Sequence, residues 1–251
     1  MKRISFLFLA AGLFFLASCD TTREITLDKD GSGSLVTTTD LSSLIGMAKM
    51  AGQSKDMDKL GDRAIDTTIS LSALADSLPD LTPQDIALVK TGTLGFIMNM
   101  ADEKFVTKLQ FPFKSTDQLA HLDKLSTKVI QQTIKKQVGG DKAPPGMDGE
   151  MPEGSIDDYY TITYTKGQIE KKLNKEKYAD IANDKGMQSM KEMSGQGLPM
   201  GNTIIIHLPA PAKKVEGSSA KLSEDKKTVT ISNSLEEFFD DGTKLEFNVT
   251  Y

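Results

Sequence analysis

Tryptophan is absent from the 251 residues, cysteine occurs once, histidine twice, and aromatic residues make up only 6%. A single cysteine excludes an intramolecular disulfide framework and a Cys-rich zinc site. Two histidines, His121 and His207, leave little scope for a His-based metal centre or a nucleophile–histidine triad. A basic surplus is missing too: 30 Lys+Arg stand against 35 Asp+Glu, for a formal net charge of −5. Nucleic acid is therefore not an expected partner, because no excess of cations exists to neutralise phosphates. Neither the G-x-S-x-G nor the Walker pattern of nucleophile and phosphate sites occurs. What remains is a 38% hydrophobic, 26% charged chain of a length that suits one large or two small domains.

The N-terminus is the most informative stretch. Lys2-Arg3 is a positive n-region, and Ile4 to Leu16 is an apolar run broken only by Ser5 and Gly12. As a helix it would rise about 20 Å, short of the ~30 Å hydrocarbon core, so it reads as a signal h-region rather than a membrane span. Leu16-Ala17-Ser18-Cys19 follows, and it matches the bacterial lipobox, [LV]-[ASTVI]-[GAS]-C, at all four positions. The chain thus resembles the bacterial lipoproteins. That resemblance implies removal of residues 1–18, a diacylglyceryl group on the Cys19 sulfur and an acyl chain on its freed amine. Two or three acyl chains anchor stably where one binds only marginally. No other cofactor is expected. Asp20 resembles the inner-membrane retention signal of some bacterial groups, a rule that does not extend to all lineages, so either membrane remains open. Losing Lys2 and Arg3 with the signal moves the net charge from −5 to −7.

Along residues 19–251 the pattern alternates between strand and helix. Arg23 to Leu27 and Ser34 to Thr39 read as a hairpin around Asp28-Lys29-Asp30-Gly31-Ser32-Gly33. Asp40 or Ser42 is placed to cap a short helix carrying Leu44, Ile45, Met47 and Ala48. Ile65 to Leu71 is a strand. Thr82-Pro83-Gln84-Asp85 opens a helix, and Thr93 to Asn99 and Glu103 to Phe113 are paired strands. Ser115-Thr116-Asp117-Gln118 fits a capping box ahead of the best helix, with Leu119, Leu122, Leu125, Val129, Ile130 and Ile134 on one stripe. After a Gly/Pro-rich stretch at 138–155 come a strand with Tyr160, Ile162 and Tyr164, a charged helix around Lys171 to Ile181, and a loose segment from Gly186 to Gly201. Thr203 to Leu208 reads as a central strand. Val215 to Leu222 pairs with Thr228 to Ile231, Ser234 caps a short acidic helix, and Leu245 to Tyr251 is a closing strand.

Without a regular βαβ rhythm this predicts an α+β fold, a largely antiparallel sheet with helices packed on one face. Residues 19–251 form one ectodomain, with 138–155 as the candidate boundary between two lobes.

Four constellations could carry chemistry. Asp28, Asp30, Ser32 and Ser34 fall at ligand positions of a loop that resembles an EF-hand, with Gly33 at the required glycine and Leu35 at the apolar eighth position. Thr39 stands where the bidentate glutamate belongs, so a Gly-rich turn is the plainer reading. Met187, Met190 and Met193, with His207, Met200, Met147 and Met151, offer soft ligands for Cu(I), or else an ordinary apolar stripe with methionine as gap-filler. Asp157-Asp158, Glu236-Glu237 and Asp240-Asp241 are acidic pairs whose default is a solvated face. Lys124, Lys128, Lys135 and Lys136 give the long helix a basic side for anionic lipid, although core packing is the simpler role. Tyr159, Tyr160 and Tyr164 offer an aromatic platform. No activated nucleophile or acid–base pair can be assembled. The expectation is a lipid-anchored envelope protein with a non-enzymatic binding or structural role and unidentified protein or other envelope partners. A calcium- or copper-binding protein is the alternative and a hydrolase with an unrecognised site the third.

Overall fold

The computed structural model describes residues 19–43, 64–76, 78–79, 81–99, 101–137, 155–195 and 200–251. The expected helix after Asp40, carrying Leu44 to Ala48, lies outside them beyond its first residues, as does most of the 138–155 stretch.

Alternation dictates the first hairpin. In β1 (Cys19–Leu27) the residues Arg23, Ile25 and Leu27 point inward, and β2 (Gly33–Asp40) answers with Leu35 and Thr37. The turn closes through Gly31, whose φ of +91° favours glycine. Gly33 is required for closeness instead: a Cβ there would stand 1.9 Å from the Thr26 carbonyl oxygen. Strands β3 (Ala64–Ser70), β4 (Thr93–Asn99) and β5 (Lys104–Phe113) continue the sheet on one side of β2. On the other side β1 pairs in parallel with β8 (Met200–His207), which carries β11 (Thr228–Ser234) and the short β10 (Ala220–Leu222). The result is an eight-stranded sheet in the order β10-β11-β8-β1-β2-β5-β4-β3, antiparallel except for β1–β8. The fold is α+β, as the pattern predicts.

A second sheet was not predicted. It runs β6 (Tyr160–Thr165), β7 (Gln168–Leu173), β12 (Phe247–Thr250), β9 (Lys214–Glu216), and is wholly antiparallel. The segment read as a helix from Lys171 to Ile181 begins as strand, its first three residues belonging to β7. Ile169 and Lys171 alternate inward, and pairing on both sides outweighs the helix propensity of its lysines and glutamate. The helix itself is α4 (Lys175–Ala179), capped by Asn174 and followed by a 3-10 turn at Ile181–Asn183. The single strand read from Val215 to Leu222 breaks at Gly217, φ +136°, and sends β9 to one sheet and β10 to the other.

Helices α1 (Ser72–Ala75), α2 (Pro83–Val89) and α3 (Leu119–Gln137) share one core with the inner faces of both sheets. Leu119, Leu122, Leu125 and Val129 of α3 are buried in it, so the core-packing reading of that helix holds. Ser115 and Gln118 act one step apart from a true capping box: Ser115 accepts from the Asp117 amide while Gln118 accepts from the Lys114 amide, and a 3-10 turn at Thr116–Gln118 precedes α3. The segment read as loose contains α5 (Lys185–Gly195), because fully buried Met187 seats it against α6 (Leu235–Asp240) in a second cluster with Tyr159, Tyr160, Phe238 and Leu245.

Because β8, β10 and β11 extend the sheet begun by β1 to β5, the segments on either side of 138–155 build one sheet together.

Candidate functional site

Cys19 is the first residue of β1, a strand hydrogen-bonded on both sides along its whole length: Cys19 to Thr26 align with Met200 to His207, and Asp20 to Leu27 with Asp40 to Gly33. No spacer separates the cysteine from the folded sheet. Strand rise puts the Asp28 turn about 30 Å from Cys19, at the opposite end of β1. Among the described residues no helix is long and apolar enough to cross a membrane.

Four residues after Cys19, Arg23 enters the interior. Its Nη1 donates to Asp157 Oδ2 at 2.8 Å, and its Nε lies 3.3 Å from Asp123 Oδ1 on α3. The other Asp157 oxygen accepts from Lys171 Nζ at 2.6 Å, a side chain on β7 with no exposed surface. Tyr164 Oη of β6 donates to Asp123 Oδ2 at 2.6 Å, and the Lys171 ammonium sits 4.3 Å from the centre of the Tyr160 ring. Two cations and two anions thus cancel in the space between the sheets, and they tie β1 to α3, to the 3-10 turn Ile156–Tyr159 and to the second sheet.

The two carboxylates are not equivalent. Burial alone would push Asp157 up, but Lys171 and Arg23 override it and hold it well below the usual carboxylate range. For Asp123 burial wins over the Arg23 charge and the Tyr164 hydrogen bond, raising it above the ordinary value. Burial penalises the Arg23 charge as well, yet Asp123 and Asp157 more than compensate and keep the guanidinium firmly protonated. Burial, then the Asp123 charge, push the Tyr164 hydroxyl well up, so it remains a donor.

Sequence reading missed this cluster, although a signal existed. Arg23 shares the inward parity of Ile25 and Leu27, Lys171 that of Ile169, and Asp123 falls on the stripe of Leu119 and Leu122. Asp157, expected on a solvated face, is its centre. Asp158, its neighbour, accepts from the Ser155 amide and closes a capping box.

The other candidate residues are dispersed. Asp28 Oδ2 and Asp30 Oδ1 both accept from Ser32 Oγ, at 3.3 and 2.7 Å, and the Ser32 side chain and amide draw Asp30 below its usual range. The turn thereby satisfies itself, and Ser34 lies in β2 opposite Thr26. Met187 and Met190 pack into the aromatic cluster under α6, and the side chain of Met193 is outside the described set. His207 is not among them: it lies on the outer face of the large sheet, where Nε2 is 2.7 Å from Glu24 Oε1 and Nδ1 3.4 Å from Thr228 Oγ1. That row of carboxylate, imidazole and hydroxyl is half-exposed, and the nearby Thr228 amide is already bonded to Ser223 Oγ. His121 pairs with Asp85 at the start of α2. The three tyrosines form no platform, since Tyr159, Tyr160 and Tyr164 are buried with hydroxyls on Asp184, the Gly242 carbonyl and Asp123. Glu237 caps Ser234 at the start of α6. Among the described residues no group of three His, Cys, Asp or Glu side chains is gathered to hold a metal ion.

No protein-family model matches the chain, and no curated protein matches it. Among solved structures it is similar to the NMR structure of the folded domain of the Mycobacterium tuberculosis LppM protein, with a TM-score of 0.39 and 10% identity over 95% of this chain and 93% of that one.

Proposed function

We propose that the protein is a bacterial cell-envelope lipoprotein, held at the membrane by diacylglyceryl and acyl chains on Cys19, whose folded part works by binding or as a structural component. One observation carries the reading: the chain's only cysteine closes a four-position lipobox match and is also the first residue of the central strand β1. An anchor there would seat the sheet directly on the bilayer, with the Asp28 turn outermost. The Arg23 cluster supports the same reading. It secures β1 about 13 Å from the attachment point to a helix and to the second sheet, so a pull on the lipid is shared with the whole core rather than borne by one hairpin.

Cys19→Ala decides the anchor. The variant is expected to leave the membrane fraction, or to stall as the uncleaved precursor, and to lose metabolic labelling by palmitate. Membrane fractionation and labelling equal to the native protein would refute the reading.

A further inference from the structure

Each sheet has two edges, and three of the four are guarded. Strand β10 is three residues with Lys221 at its centre, and β9 is three residues flanked by Lys214 and Glu216. Strand β6 runs beside α3 and the 3-10 turns. Short length, charge and cover are the usual ways of preventing edge-to-edge pairing. Strand β3 is longer, and among the described residues nothing covers its outer edge. Its seven residues, Ala-Ile-Asp-Thr-Thr-Ile-Ser, contain no lysine or proline and one charge, and no described strand pairs with its outer edge. All but Ile69 are exposed, and Ile65, at 41%, is one of two exposed large apolar side chains among the described residues. The core-side surface continues out to this edge: Ile69 stands beside Leu94, Thr67 beside Phe96 and Ile65 beside Met98.

We propose that β3 is a homodimerisation edge, pairing antiparallel with β3 of a second copy in a register centred on Thr67. Three registers near the middle of the strand keep the core-side faces of the two sheets together. Centring on Asp66 would set two carboxylates opposite each other. Centring on Thr68 would set Ile65 against Leu71, which is fully buried in its own subunit. Centring on Thr67 sets Ile65 against Ile69 twice, Thr67 against Thr67, and Asp66 against Thr68. Only this one matches apolar with apolar and opposes no like charges. The strand is its own complement.

The geometry also suits two copies on one membrane, a point that rests on the lipid-anchor reading, whereas the pairing itself does not. Four strand steps separate β1 from β3, by way of β2, β5 and β4. At about 20–25° of twist per step, β3 lies roughly crosswise to β1. With β1 rising from the bilayer, β3 then runs nearly parallel to it, and the two-fold axis of an antiparallel pair points along the membrane normal. Both Cys19 residues consequently face the same membrane. A seven-residue edge is small beside the roughly 1,600 Å² of a standard interface, so the dimer is weak in free solution and gains from confinement of both copies to a surface.

Disulfide trapping in the full-length chain tests this, because removing Cys19 leaves no other cysteine. Thr67→Cys in a Cys19→Ser background, purified in detergent and oxidised with copper phenanthroline, is expected to give a covalent dimer at least tenfold faster than Ser70→Cys. The two copies of position 67 are opposite one another, within disulfide reach, while those of position 70 are six residues out of register, roughly 20 Å apart. Thr67→Lys, with a melting temperature near that of the parent, is expected to abolish the self-association seen by sedimentation. Equal trapping rates at 67 and 70, or no trapped dimer at 67, would overturn the pairing, whatever Cys19→Ala shows about the anchor. Trapping at 67 on membranes with native Cys19, faster than in detergent, is expected if both readings hold.

Discussion

Asp157 shows how much one side chain can decide. It neutralises Arg23 and Lys171 together, so Asp157→Asn would leave two buried cations facing Asp123 alone. Breaking a buried pair of this kind costs about 3–5 kcal/mol, a large share of a typical stability of about 5–15 kcal/mol. The sign with pH is fixed by the depressed native carboxyl. Its contribution is present above the ordinary carboxylate value and is lost as pH falls below it. Urea unfolding should therefore show the full deficit of the variant at pH 7, shrinking by about 1.4 kcal/mol for each pH unit below about 4. A deficit independent of pH would mean that packing, not charge, was lost. Thr107 makes the opposite case. It is 1% exposed on β5, and its hydroxyl has no hydrogen-bond partner among the described residues. Thr107→Val keeps the volume and removes an unsatisfied polar atom, so it should stabilise by about 1 kcal/mol in the same measurement.

At the scale of elements, local chemistry and tertiary pairing divided the outcome. The reciprocal caps Thr82–Asp85 and Ser234–Glu237 formed as their sequences indicate, because capping is settled within four residues. Ser234→Ala should cost about 1 kcal/mol by thermal melting and fray α6, the helix that covers Met187. A melting temperature unchanged within error would show the cap to be redundant. The hairpin of β1 and β2 and the β4–β5 pair were equally legible, from alternation and turn residues. Strand β7 and helix α5 were not. Gln-Ile-Glu-Lys-Lys-Leu is as good a helix as a strand until β6 and β12 flank it, and a Met-rich segment between glycines is a poor helix until an aromatic cluster receives its methionine. The candidate site followed the same division. The proposal for Cys19 rests on four contiguous residues, whereas Arg23, Asp123, Asp157 and Lys171 come from four separate elements and meet only once β1, α3 and β7 are packed.

For the whole molecule, the consequential feature is that β1 is central. Strands β8, β10 and β11 add to it from beyond the Gly/Pro-rich stretch, so the eight-stranded sheet is shared and the N-terminal segment owns no complete sheet. A protease site inserted after Gly146 and cut in the native protein should leave two fragments that co-elute on size exclusion. Expressed alone, residues 19–137 should fail to fold, since β1 would lose its parallel neighbour and Arg23 its partner Asp157. Independent folding of that fragment would restore the two-lobe view of the chain. The proposed export signal and lipobox, like the caps and hairpin turns, are written in contiguous residues, because each depends on side chains within a few positions of one another. The second sheet, the parallel β1–β8 pairing, the buried charges and the β3 edge left unpaired among the described residues depend on residues far apart in the chain, and only the packing of two sheets around α3 brings those together.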